Sequence, residues 1–230
     1  MASRTPPIRV ACHVIDDPFQ VFRDYCIDYP NTLRRYDWAQ VDRLRLSPEV
    51  VSASRSLFSR ISREQELRLL SLNVNAPWDI VPPDARLHDA DPLVRDGLYG
   101  RALTLYNHFL HQSGDGIADA KVSKSLHLTR PAFFPILDTQ VLKLYRTSAQ
   151  IAARDLSEAG SPYAPPRRAF WEAFRQDVIR AGDGLAALRD AARNDDHPVV
   201  AEAADQLSDV RIIDILAWSI SRQIASTSWR

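Results

Sequence analysis

The chain has 230 residues, 45% hydrophobic and 25% charged, with 29 basic side chains against 29 acidic ones. That length can bury a real core and the apolar content is that of a soluble globular protein, while zero net charge excludes a generally basic nucleic-acid coat. Two cysteines, Cys12 and Cys26, exclude a disulfide framework and a cysteine metal motif and fit a reducing cytosol.

MASRTPPIRV lacks the apolar core of a signal peptide, and no run reaches membrane-spanning length, so a cytoplasmic protein with no membrane contact is expected. Ile8 to Ile15 reads as a strand or extended segment. Asp17-Pro18 starts a helix with Phe19, Phe22, Cys26 and Ile27 on its apolar face, and Pro30 ends it. Asn31 to Leu46 predicts a short helix. Ser47-Pro48-Glu49 restarts one that takes in Leu57, Phe58 and Ile61. Ser62 to Gln65 is a capping box, opening a helix that ends near Leu72.

Asn73 to Ala90 reads as a proline-rich loop, and Asp91-Pro92 as the cap of a helix running to about Gln112. Further helices are predicted over Ile117–Leu128, from Asp138 onward, Ser148–Glu158, Arg167–Ala181, Leu185–Arg193 and Asp209–Ile224. Gly160 to Pro166 is a turn-rich connector, and Gly182 and Gly184 interrupt the pattern. With almost no strand signal, the fold class is all-α.

Residues 114 to 146 organise the rest. Gly114 and Gly116 permit a tight turn, a helix follows, and Arg130-Pro131 breaks it. The apolar run Phe133 to Leu137 leads to Asp138, and Val141, Leu142 and Tyr145 share one face of the next helix. All three lysines of the chain, Lys121, Lys124 and Lys143, fall in this stretch. An amine can lose its proton and attack carbon where a guanidinium cannot. Residues 121 to 146 carry five basic side chains against Asp138 alone, a local patch able to meet DNA phosphates.

Glycine turn, lysine-bearing helix and RPAFFPILDTQV together resemble the helix-hairpin-helix DNA glycosylase superfamily. The hairpin reads SGDGIADAK where that superfamily has a form close to LPGVGxxTA. The aspartate phrase carries one extra residue, Leu137, and there is no four-cysteine iron–sulfur motif. Over most of the chain, Leu69 to Pro77, Arg130 to Val141 and Arg211 to Trp218 are similar to bacterial proteins known only as a domain of unknown function. The first resemblance implies a two-lobed helical fold, with residues 1–46 plus 147–230 in one lobe and 47–146 in the other. It also implies Asp138 as the catalytic aspartate and Lys121, with Lys124 second, as the best-placed lysine.

Base removal passes through an oxocarbenium-like state that a carboxylate can stabilise, or for which it can activate water. On that reading Asp138 does the chemistry and Lys121 is the candidate nucleophile. Gly114, Gly116, Lys124, Arg130, Lys143 and Arg146 grip DNA, and Trp78 and Tyr99 stack on an extruded base. No cofactor or metal is called for: His108 and His111 share a helix spacing, but nothing completes a ligand set. DNA is the expected partner, and a monomer needing no protein partner is expected.

Each residue also has a plainer role. Asp138 is a good N-cap. Lys121 and Lys124 suit a solvated face or a phosphate contact, and Arg211 with Asp214 suits an ion pair inside the last helix. A monofunctional glycosylase, serving repair or anti-phage defence, is thus set against a non-catalytic DNA-binding or protein-interaction module of the same fold.

Overall fold

A computed structural model of the chain describes residues 5–163 and 166–227. Residues 1–4 at the start of MASRTPPIRV, residues 164–165 of the connector and the last three residues lie outside the described residues. Helices dominate, as the sequence pattern predicts, and the strand signal resolves into one hairpin. In it β1 (Ile8–Val10) pairs antiparallel with β2 (His13–Ile15), with Ile8 opposite Ile15. The chain reverses at Ala11, which takes a left-handed φ of 54°.

Helix α1 (Pro18–Asp28) starts where Asp17 accepts a hydrogen bond from the Gln20 amide at 3.0 Å. The short α2 (Pro30–Thr32) runs into a π-helical turn over Leu33–Asp37, in place of the ordinary helix expected between residues 31 and 46. That wider turn buries Leu33 and Tyr36 and carries the Asp37 carboxylate into the interior. Helix α3 (Pro48–Arg55) is capped by Ser47, and α4 (Arg63–Ser71) by the Ser62–Gln65 capping box. Helix α3 ends before Leu57 and Phe58 instead of including them. Phe58 adopts φ 57°, in the left-handed region an aromatic residue rarely takes, and its side chain is 85% exposed.

Between residues 72 and 97 short 3-10 turns replace the loop, and Asp91 caps a turn at Leu93 rather than a helix. Helix α5 (Leu98–Gln112) begins after Gly97. Helices α6 (Asp119–Thr129), α7 (Thr139–Glu158), α8 (Pro166–Arg180), α9 (Gly182–Arg193), α10 (Pro198–Gln206) and α11 (Asp209–Thr227) complete the chain. Helix α7 is one continuous element where the sequence suggested two, and α10 was not anticipated. Gly182 and Gly184 lie in the first turn of α9. A Cβ on Gly184 would come within 2.8 Å of Ile8 Cγ1, so the hairpin rests directly on that turn.

Helix α1 packs on α9, α10 and α11, and α7 packs on α8 and α11. Helix α6 packs on α3 and α5. The buried apolar side chains of both groups join in one continuous cluster. A buried carboxylate, Asp177 on α8, ties three elements together. It accepts from the Ala11 amide at 2.6 Å, from the Tyr145 hydroxyl at 2.6 Å, and from Arg180. Among the described residues no helix is long and apolar enough to cross a membrane.

Candidate active site

Asp138 stands at the N-terminus of α7. Its Oδ1 accepts hydrogen bonds from the amides of Gln140 at 2.9 Å and Val141 at 3.0 Å. The cap uses one oxygen only, so Oδ2 remains available. The segment before it is fixed from both ends. Phe133, Phe134, Ile136 and Leu137 are buried, and the Leu137 amide donates to Ser123 Oγ at 3.1 Å. His127 donates from Nδ1 to the Phe134 carbonyl at 2.7 Å and stacks on Tyr36. Burial pushes the His127 pKa down to about 3, with Arg211 adding to the effect, so the imidazole is neutral and works as a brace.

Asp138 opens onto a cavity of about 130 Å³. Its walls are Tyr25 from α1, Tyr29 just after it, Thr32 from α2, Trp218 from α11, Ile136, and Leu57 and Phe58 from the turn after α3; Lys124, Arg211 and Asp214 complete the lining. An apolar cavity of about 150 Å³ accommodates a benzene ring, so this space suits one small aromatic ring. The aromatic walls brace one another: Trp218 meets Tyr25 and Tyr29 edge-on at 5.7 and 5.3 Å, and Arg222 lies over the Trp218 ring at 4.9 Å.

The polar side is a buried network centred on Arg211. Its Nε donates to Asp37 at 2.7 Å, its Nη2 to Asp37 at 3.1 Å and to the Tyr25 hydroxyl at 3.0 Å, and its Nη1 to Asp214 Oδ2. The ion pair within the last helix therefore forms, and Asp37 from the π-helical turn extends it. Burial raises the Asp37 carboxyl above its ordinary range although Arg211 opposes this, and pushes Asp214 up to about 7. Lys124 is only 8% exposed, and its ammonium donates to the Leu57 carbonyl at 2.7 Å. Burial lowers its pKa against the pull of Asp138 and Asp214.

The other residues singled out in the sequence lie apart from this cavity. Lys121 is one turn away on α6. Its ammonium donates to Gln65 and to the Gly116 carbonyl, both at 2.7 Å, and braces the hairpin. Of the two lysines it is thus Lys124 that lines the same cavity as the aspartate. Arg130 is 1% exposed and faces no phosphate: it donates to the carbonyls of Val81, Trp78 and Arg43 and lies over the Trp78 ring at 5.1 Å. Trp78 packs on Phe109, and Tyr99 packs on Tyr163 and Trp171, so neither lines the cavity. The cavity is walled instead by Tyr25, Tyr29 and Trp218. The only cue to them in the sequence is aromatic residues on two helices distant along the chain.

Gly114 and Gly116 take left-handed φ angles of 74° and 76° in the exposed turn between α5 and α6. Asp115 sits between them. Lys143 and Arg146 are exposed on the first turns of α7. Among the described residues no group of histidine, cysteine and carboxylate side chains is arranged to hold a metal, and His108 Nε2 donates to the Leu72 carbonyl at 2.9 Å.

A family model described as a family of unknown function, DUF6308, matches residues 31–221. The match takes in Asp37, Lys124, Asp138, Arg211, Asp214 and Trp218 and stops short of Tyr25 and Tyr29. No curated protein and no solved structure matches the chain.

Proposed function

The chain belongs to DUF6308, a family of unknown function, and we propose that it is a monofunctional DNA glycosylase, excising a damaged or modified base from DNA. One observation carries the reading: a carboxylate fixed at a helix start, with one oxygen free of the cap, faces an aromatic-walled cavity the size of a ring. An extruded base would stack between Tyr25, Tyr29 and Trp218. Asp138 Oδ2 would lie beside the sugar, where it offsets the positive charge that develops as the glycosidic bond breaks or orients the attacking water.

Phe58 suits the duplex side of such an event. Its exposed ring stands at the cavity mouth, on a turn held by Lys124 through the Leu57 carbonyl. An apolar side chain there can fill the gap an extruded nucleotide leaves. Lys143 and Arg146 supply exposed cations on the helix that Asp138 begins. Repair and anti-phage defence are both settings for this chemistry.

A binding-only reading draws on the hairpin. Asp115 between the two glycines opposes a phosphate at the backbone amides and suits a basic protein partner instead. Base release separates the readings. The wild type and Asp138→Asn are incubated with DNAs carrying oxidised, alkylated, deaminated and hypermodified bases, and alkali then reveals abasic sites. We expect abasic sites from the wild type, at least a hundredfold fewer from the variant, and similar DNA affinity in both. Full activity of Asp138→Asn would remove Asp138 from the mechanism.

A further inference from the structure

Asp214 holds a feature that the ion pair leaves unexplained. The residue is 2% exposed, and only Oδ2 is engaged, by Arg211; Oδ1 has no hydrogen-bond partner among the described residues. A buried polar atom without a partner costs about 1–3 kcal/mol, and this one belongs to a side chain lining the ring-sized cavity. Asp214 also shares that cavity with Asp138, approached from the opposite helix.

We propose that Asp214 is the general acid of the site, donating a proton from Oδ1 to a nitrogen or oxygen of the bound base as it leaves, and that the substrate is therefore an uncharged base. The inference rests on the glycosylase reading. A base that already carries a positive charge leaves as a neutral molecule and needs no acid, whereas a neutral one must gain a proton.

The groups around Asp214 raise its pKa to about 7, so a protonated fraction is present at neutral pH. Arg211 on its own helix stabilises the carboxylate, but Asp37 from the π-helical turn already takes two of the guanidinium's donors. Asp138 at the start of α7 raises the Asp214 pKa, and burial raises it most. Tyr25, Tyr36 and Tyr145 face it as neutral phenols, since burial holds all three well above the ordinary tyrosine range. Lys124 from α6 is the remaining cation.

The step balances. The bond from the sugar carbon to the base nitrogen breaks, and its electron pair goes to the base, which takes the proton from Asp214 Oδ1. Water adds to the sugar carbon and gives its proton to Asp138. Solvent then reprotonates Asp214 and deprotonates Asp138, so the sum is hydrolysis.

The test is single-turnover base release by wild type, Asp138→Asn and Asp214→Asn. The probes are DNA duplexes carrying the one-ring bases uracil or 5-hydroxymethyluracil as neutral bases and 3-methylcytosine as a cationic one, each measured from pH 5 to 8.5. We expect release of a neutral base whose rate falls above about pH 7. Asp214→Asn should lose that fall and about a hundredfold in rate, as removing a general acid does. Preferential release of 3-methylcytosine by the wild type, or an unchanged rate and pH limb in Asp214→Asn with Asp138→Asn inactive, rejects the acid role and leaves the glycosylase reading intact. A wild type silent on every duplex rejects both. The asparagine keeps the shape of the side chain and can still accept from Arg211. If it does not fold, the wild-type profile decides: a rate that does not fall above pH 7 overturns the proposal.

Discussion

Arg130 and Arg211 show how far a side chain's type underdetermines its role. In the sequence Arg130 reads as a contact for DNA phosphates and Arg211 as half of an ion pair inside the last helix, and both are almost fully buried. Arg130 is held by backbone carbonyls from two distant segments, at Arg43 and at Trp78 to Val81, which a sequence cannot display as partners. The prediction at this scale follows from those carbonyls. Arg130→Ala leaves them unpaired and removes the ring contact with Trp78, so it should cost about 3 kcal/mol or more in urea unfolding. Arg130→Lys should recover little, because an ammonium cannot span the same fork. A loss below about 1 kcal/mol would mean that water satisfies the carbonyls instead. The two lysines make a similar point. Lys121 and Lys124 are three residues apart on one helix, and spacing alone cannot say which faces the aspartate. Packing decides it: Lys121 turns to the hairpin carbonyl, and Lys124 turns under the Leu57–Phe58 turn.

Among elements, those marked by local chemistry were legible. Asp17, Ser47, Ser62 and Asp138 each cap the helix that their sequence announces, because capping needs only neighbours within one turn. Elements set by distant packing were not. The π-helical turn at Leu33–Asp37 exists to bury Tyr36 and bring Asp37 to Arg211, far along the chain. The early end of α3 leaves Phe58 outside, against its apolar character. At the hairpin the backbone demand is explicit. Gly116 has φ 76°, and a Cβ there would lie 2.6 Å from Gln65 Nε2, whose bond to the Gly116 carbonyl it would displace. Gly116→Ala should therefore destabilise the protein by about 1–2 kcal/mol in chemical denaturation. A neutral or stabilising effect would show that the turn does not need its left-handed geometry.

At the scale of the molecule, the core is continuous and its buried carboxyls make stability depend on pH. Asp214 titrates near 7 when folded, against about 3.9 for an unfolded aspartate. Between those values the native protein holds the extra proton. The contribution of this residue is thus most favourable below about pH 4, declines as pH rises, and levels off above 7. Urea midpoints of the wild type and Asp214→Asn, compared from pH 4 to 8, should differ progressively in the variant's favour as pH rises. A constant difference would mean that the folded carboxyl titrates as an exposed one does. The all-α class was legible from periodicity and the near absence of strand signal. The cavity was not, because its aromatic walls and its charged floor come from stretches that only the completed packing brings together.

That dispersed origin has a consequence during synthesis. Tyr25 and Asp37 emerge from the ribosome early and Asp138 later, but Arg211, Asp214 and Trp218 arrive only with α11. Until that helix docks, the cavity lacks one wall and Asp37 lacks its counter-ion. The cavity is therefore the last feature to be completed, and refolding gives a way to watch that step. With the other four tryptophans replaced, Trp218 fluorescence in the refolding chain should change in a phase of its own as α11 docks against Tyr25 and Tyr29.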